Sequence, residues 1–218
     1  RVVLPCKVLA DGKITLQAKQ LAEIVRELPE GTQVDLARKS NDWVELVCGK
    51  SRFNLVSLPA EQYPTVPAFD DKSYHSARSK SLAEMIDRTG FAVSTDQTRF
   101  MMTGVFFEPT QNRLMRMVGT DGHRLSFIDH EVFLSDPGLR SGVIIPKKGL
   151  GELRKFLDLG EEETGLAFDG TSLYARQNGV CLFVRLIDGE YPDYKLVIPK
   201  GVDLLVRVDR QQLIAALK

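Results

Sequence analysis

The chain repeats itself, and that constrains its fold more than any single residue does. Ile14-Thr15-Leu16-Gln17-Ala18-Lys19-Gln20-Leu21-Ala22-Glu23-Ile24 aligns with Val143-Ile144-Ile145-Pro146-Lys147-Lys148-Gly149-Leu150-Gly151-Glu152-Leu153, so Leu21 matches Leu150 at an offset of 129. Phe53-Asn54-Leu55-Val56-Ser57-Leu58 with Tyr63-Pro64 matches Cys181-Leu182-Phe183-Val184-Arg185-Leu186 with Tyr191-Pro192, an offset of 128 from Tyr63 to Tyr191. Two anchors that agree to within one residue mark a duplicated structural unit, and both copies must satisfy the same packing. Shorter echoes of a strand followed by a helix begin at Ser76 and Leu205.

Periodicity supplies the contents of each copy. Four segments carry apolar residues at helical spacing: Leu21, Ile24, Val25 and Leu28; Leu82, Met85, Ile86 and Thr89; Leu150, Leu153 and Leu157; Leu213, Ala216 and Leu217. Each stripe faces one way and leaves the rest polar, as a helix lying on a sheet requires. Asp209 is placed to cap the last helix. Short alternating or apolar runs read as strands: 33–37, 43–47, 53–56, 104–107, 114–118 and 181–184. Asp11-Gly12, Cys48-Gly49, Gln111-Asn112 and Asn178-Gly179 read as turns. The Pro-, Ser- and charge-rich residues 59–79 read as a connection between domains, as do residues 199–203. The unit is then a strand, a helix and three strands, recurring about every 65 residues, and two units make a domain. By that count the chain opens midway through one domain, holds one whole domain, and stops after the first helix of a third.

Composition narrows the classes. Hydrophobic residues are 43% of the 218 and charged residues 27%, ordinary values for a folded chain. No apolar run reaches the ~18 residues of a membrane span, and Arg1-Val2-Val3-Leu4-Pro5-Cys6 does not read as a secretion signal. Cys6, Cys48 and Cys181 form no CxxC pair and read as thiols in a reducing compartment. Lys plus Arg equals Asp plus Glu at 29 each, which argues against binding nucleic acid by bulk charge alone. The sequence has no P-loop, GxGxxG, GxSxG or His/Cys metal spacing, and no cofactor is expected from its motifs.

Gly119-Thr120-Asp121-Gly122-His123-Arg124-Leu125 lies downstream of Gly104-Val105-Phe106-Phe107-Glu108. It precedes Ile144-Ile145-Pro146-Lys147-Lys148-Gly149 and Asp188-Gly189-Glu190-Tyr191-Pro192-Asp193-Tyr194. In this order and spacing the segments closely resemble the bacterial replicative sliding clamps, the beta subunit of DNA polymerase III, over all 218 residues. The resemblance implies an α+β DNA-clamp fold of repeated β-α-β-β-β units, with helices on one face of antiparallel sheets. It assigns residues 1–67 to the second half of a first domain, 68–198 to a complete middle domain, and 199–218 to the opening strand and helix of a third. It implies a cytoplasmic, non-catalytic processivity factor, homodimeric as a closed ring in the family, with ring closure not expected of this stretch alone. The implied partners are duplex DNA, held without regard to sequence, and the polymerase alpha subunit, clamp-loader subunits and repair polymerases, bound through short linear peptides; no membrane is implied.

Carried over by position, the peptide pocket consists of Arg99, Met102, Thr120, Gly122, His123, Arg124, Leu125, Pro192, Leu196 and Val197. Many family members have a basic residue at Leu196 and a leucine at Met102, so an altered peptide preference is expected. From the residues alone, Asp121-Gly122 is a hairpin turn with His123 and Leu125 on one strand face and Arg124 on the other. A metal reading of Asp121, His123 and His130 also stands open. The four helical segments hold ten basic residues against five acidic ones. They read either as solvated faces or, by the resemblance, as the lining of a bore that meets phosphates without reading bases. The DNA-facing set is Lys19, Arg26, Lys80, Arg88, Phe100, Lys147, Lys148, Arg154, Lys155 and Arg210. A stand-alone peptide-binding module with no DNA role is the rival, and the helix charges discriminate the two.

Overall fold

The computed structural model describes residues 4–40, 42–63, 65, 68, 72–111, 114–133, 139, 141–160, 162–199, 201 and 204–217. It divides into two compact units, Val2–Asp71 and Lys72–Lys218.

In the first unit, β1 (Thr15–Leu16) leads into α1 (Ala18–Arg26), followed by β2 (Asp35–Arg38), β3 (Trp43–Cys48) and β4 (Ser51–Leu58). They form one antiparallel sheet in the order β1-β4-β3-β2. Alternation sets its faces: Val44, Leu46 and Leu55 are buried, while Trp43, Val56 and Leu58 on the opposite face are exposed. Gly49 has positive φ and is the first residue of the two-residue loop that joins the Cys48–Ser51 pair, the position a tight hairpin reserves for glycine. The expected α1 stripe is present, with Leu21, Ile24 and Leu28 half-buried and Val25 exposed.

The second unit contains two copies of the repeat. The first is β5 (His75–Arg78), α2 (Ser79–Thr89), a 3-10 segment at Gln97–Thr103, β6 (Gly104–Pro109), β7 (Met115–Thr120) and β8 (Leu125–His130). The second is β9 (Val143–Pro146), α3 (Lys147–Leu157), β10 (Glu163–Phe168), β11 (Ser172–Gln177) and β12 (Val180–Arg185). The leading strands are exchanged: β9 pairs with β6 of the first copy, and β5 pairs with β10 of the second. The two antiparallel sheets are therefore β9-β6-β7-β8 and β5-β10-β11-β12. The repeat is also visible in its closures. Thr15 pairs with Leu58 in the β1–β4 ladder, and Ile144, the counterpart of Thr15, forms a bridge with Ile187, one residue past the counterpart of Leu58, the Ile187 amide donating to the Ile144 carbonyl at 2.9 Å.

α2 and α3 contact each other and bury the expected stripes. Leu82, Met85, Ile86, Leu150, Leu153 and Leu157 pack with Val105, Phe107, Met117, Leu166 and Leu173 in one core. Phe156, outside the stripe read from the sequence, joins them. A buried polar chain ties the helices to a sheet: Ser79 and Thr164 hydroxyls lie 2.8 Å apart, Thr164 donates to Gln177 Oε1 at 2.7 Å, and Gln177 Nε2 donates to the Phe156 carbonyl at 2.7 Å. Complete satisfaction of these groups offsets their desolvation. The Asn178-Gly179 turn is as expected, both residues having positive φ between the paired Gln177 and Val180.

Three expectations change. Asp11-Gly12 is not a turn; the bend lies at Leu9–Ala10. Residues 59–79 are not wholly a connection, because β5 occupies His75–Arg78; its polar sequence suits an edge strand whose ladder with Glu163–Leu166 satisfies the backbone. Pro64 and Pro67 lie outside the described residues. The strand expected near Leu205 is not assigned, since residues 204–209 pair with no described strand and Leu204, Leu205 and Val206 are exposed. The helix after it, α4 (Arg210–Ala216), forms as expected, and the Asp209 carboxylate accepts the Gln212 amide at 3.0 Å.

Candidate functional site

Thr120 and Leu125 are the last pair of the β7–β8 ladder, so residues 121–124 form a four-residue hairpin loop. His123 and Arg124 lie in this loop rather than on strand faces, a correction to the simple hairpin reading. The physical reason is Asp121. One carboxylate oxygen accepts the His123 and Arg124 amides, each at 3.0 Å, and the other accepts Arg124 Nε at 3.0 Å. These donors, the His123 amide first and then the Arg124 amide, hold the Asp121 carboxyl down to about 2. Thr120, buried at the end of β7, closes the loop from below: its hydroxyl donates to the Arg124 carbonyl at 2.7 Å and accepts the Gly122 amide at 3.1 Å.

Asp121 is thereby occupied, and His130 stands at the far end of β8, 3.6 Å from Glu84. The three members of the metal reading are not brought together, and among the described residues no three His, Cys, Asp or Glu side chains form such a cluster.

The loop is held from outside by two arginines. Arg99 Nη1 donates to the Asp121 carbonyl at 2.8 Å. Gly122 makes room for it: φ is +88°, and a Cβ there would lie 2.4 Å from Arg99 Nη1. Arg124 Nη2 donates to the Phe91 carbonyl at 2.9 Å, with the guanidinium 5.5 Å from the Phe91 ring centre. Phe91, Val93, Asp96, Arg99, His123 and Arg124 help line a cavity of about 310 Å³. Lys147, one of the expected DNA-facing residues, lines it as well, its walls are mostly polar, and Met102, Leu125, Pro192, Leu196 and Val197 are not among them. Phe91 was not among the residues singled out in the sequence; no spacing rule connects it to a loop 30 residues away.

Of the expected pocket residues, Arg99, Thr120, Gly122, His123 and Arg124 are assembled at this loop, and Arg99, His123 and Arg124 of them line the cavity. Leu125 and Met102 are half-buried beside them in sequence, and the Met102 carbonyl accepts the Ser94 amide at 2.9 Å. Pro192, Leu196 and Val197 belong to a segment tied to the same sheet through Tyr191, whose ring stacks on Phe106 at 5.0 Å, and through buried Tyr194. Leu196 and Val197 themselves are 80% and 69% exposed.

The basic helix residues sort into two groups. Lys80, Lys147, Lys148, Arg26 and Arg210 are exposed and pair with no described residue. Arg88 pairs with Glu84 at 2.8 Å, Lys155 with Glu152 at 3.0 Å and Lys19 with Glu23 at 4.0 Å. Arg154 is committed further. Its Nε donates to Asp87 on α2 at 2.9 Å and Nη1 to Asp158, so its charge is spent joining α3 to α2. Phe100 is exposed in the Gln97–Thr103 segment.

Comparison with known proteins gives the family. Residues 77–193 match the family model for the DNA polymerase III beta subunit, central domain, and residues 4–67 that for its N-terminal domain. The beta sliding clamp of Pseudomonas aeruginosa is 35% identical over 204 residues, covering 93% of this chain and 54% of its own. That of Chlamydia muridarum is 31% identical over 218 residues, covering 100% and 58%. A crystal structure of the Pseudomonas aeruginosa sliding clamp with ligand superposes at a TM-score of 0.89, with 33% identity over 98% of this chain and 58% of that one. A sliding clamp from Bartonella birtlesii bound to griselimycin superposes at 0.87, with 32% identity and the same coverage. The chain spans a little over half the length of these relatives.

Proposed function

Because this chain belongs to the DNA polymerase III beta subunit family, the bacterial sliding clamps, we propose that it serves replication as a non-catalytic processivity factor. In this reading the protein closes as a homodimeric ring on duplex DNA in the cytoplasm. It tethers the polymerase alpha subunit, clamp-loader subunits and repair polymerases through short linear peptides. Residues 1–67, 68–198 and 199–218 are then the second half of the first domain, the middle domain and the opening of the third.

The Asp121 loop is the observation that carries this reading. Held by Thr120, Arg99 and Arg124, it presents His123 and the Arg124 guanidinium beside an aromatic wall without needing ligand to order it. A peptide ending in leucine and phenylalanine buries its anchors against Leu125, Met102, Pro192, Leu196 and Val197 at ~25 cal/mol per Å². Backbone carbonyls of that peptide accept from His123 and the arginines. The helix cations supply the second contact. A ring that encloses DNA needs only weak, sequence-independent attraction to phosphates, which Lys80, Lys147 and Lys148 can provide, with Lys19, Arg26, Arg88, Lys155, Arg210 and Phe100 beside them and Arg154, the remaining member of the expected set, held by Asp87 and Asp158.

The test is peptide titration by fluorescence anisotropy on the full-length protein. His123→Ala and Leu125→Ala are expected to weaken a Leu-Phe-ending peptide by ~1–3 kcal/mol each. Wild-type affinity in both variants would remove the pocket assignment.

A further inference from the structure

The segment carrying Pro192, Leu196 and Val197 forms no ladder with any described strand. Its only regular element is the single 3-10 turn Tyr194–Val197, and its two terminal apolar side chains stand in solvent. Ordering such a segment on binding costs ~1–2 kcal/mol of backbone entropy per residue, so a working pocket wall has to be ordered beforehand.

Tyr194 is 4% exposed, and its surroundings are unusual for a loop tyrosine. Its hydroxyl donates to the Glu108 carboxylate and accepts from Arg116 Nη1 at 3.3 Å. Arg116 is itself fixed. Its Nε and Nη2 donate to the two oxygens of Asp129, each at 2.6 Å, and its guanidinium lies 4.7 Å from the Phe127 ring centre. Lys195 Nζ sits 3.5 Å from Glu108, and the Asp193 carboxylate accepts the Lys195 amide at 3.2 Å. Three consecutive strands thus supply one charged side chain each: Glu108 from β6 and Arg116 from β7 meet at a phenol on the loop, and Asp129 from β8 holds Arg116 in place. A surface ion pair needs no such partner. The cluster is built around the loop.

We propose that Glu108, Arg116 and Asp129 act through Tyr194 as a latch that presets the Pro192–Val197 wall of the peptide pocket, making these four positioning residues for ligand capture. The inference rests on the pocket reading above. With the latch open, the wall samples many arrangements, and apparent affinity falls by the fraction that remains competent.

The experiment uses the full-length protein, a labelled Leu-Phe-ending peptide, thermal melting and amide hydrogen exchange. Tyr194→Phe is expected to weaken binding five- to tenfold and to speed exchange at residues 195–197, while exchange in β6 and β7 stays slow. Glu108→Gln keeps an acceptor for the phenol and is expected to bind within twofold of wild type. Glu108→Ala is expected to behave as Tyr194→Phe does. Unchanged affinity in Tyr194→Phe overturns the latch, as does exchange at 195–197 that matches wild type. So does a loss shared equally by Glu108→Gln, or a loss that merely tracks a lowered melting temperature. If wild type itself fails to bind the peptide, the pocket reading falls, and exchange at 195–197 still decides whether Tyr194 orders the segment.

Discussion

Gly122 and Asp121 do different work in the same loop, and each makes a separate prediction. Gly122→Ala puts a Cβ at positive φ and drives it against Arg99 Nη1. The expected cost is ~1–2 kcal/mol of stability from the backbone conformation alone, measured by urea unfolding, together with weaker peptide binding as Arg99 leaves the Asp121 carbonyl. Asp121 titrates lower when folded, about 2 against an ordinary 3.8. Its contribution is therefore fully present above 3.8 and is lost as pH falls toward 2. Protection of the His123 and Arg124 amides, the donors to its carboxylate, taken against their intrinsic exchange rates at each pH, should fall across that window; constant protection there would count against the loop geometry. The sequence showed the Thr-Asp-Gly-His-Arg-Leu motif as both a turn and a family mark, because a turn is local chemistry. It marked Tyr194 only as part of a family motif and Phe91 not at all, because their roles depend on contacts made across the fold between residues without a fixed spacing.

At the scale of elements, α2 and α3 were legible because burial imposes a period on sequence. Leu153 is fully buried between them and the sheets, so Leu153→Ala should cost ~2–5 kcal/mol in a denaturation midpoint measurement. Phe156 escaped because two adjacent apolar positions, Phe156 and Leu157, widen the buried stripe beyond the minimal pattern. Charges were harder to read than apolar residues. Arg154 looks like any helix-surface cation in the sequence, yet it bridges Asp87 and Asp158, and no spacing rule anticipates a partner 67 residues away. The exchange of β5 and β9 was equally silent: each strand's own sequence fits either sheet, and only the pairing of the whole unit decides between them.

For the molecule as a whole, the formal charge of zero conceals an uneven distribution, with basic residues gathered on helices. In a full-length ring on nicked circular DNA, reversing Lys80, Lys147 and Lys148 to glutamate should shorten residence and flatten its dependence on salt. Retention indistinguishable from wild type would mean these lysines do not face DNA. The duplication was legible at this scale because two anchors kept their offset over tens of residues, and it carried the fold class with it. The strand exchange in the second unit has a further meaning. Each half lends its leading strand and borrows the other's, so a half by itself is incomplete along one flank yet complementary to its own twin. Two separate identical chains related by a twofold axis could satisfy the same hydrogen bonds, and this unit has the strand pairing of such a pair tied end to end.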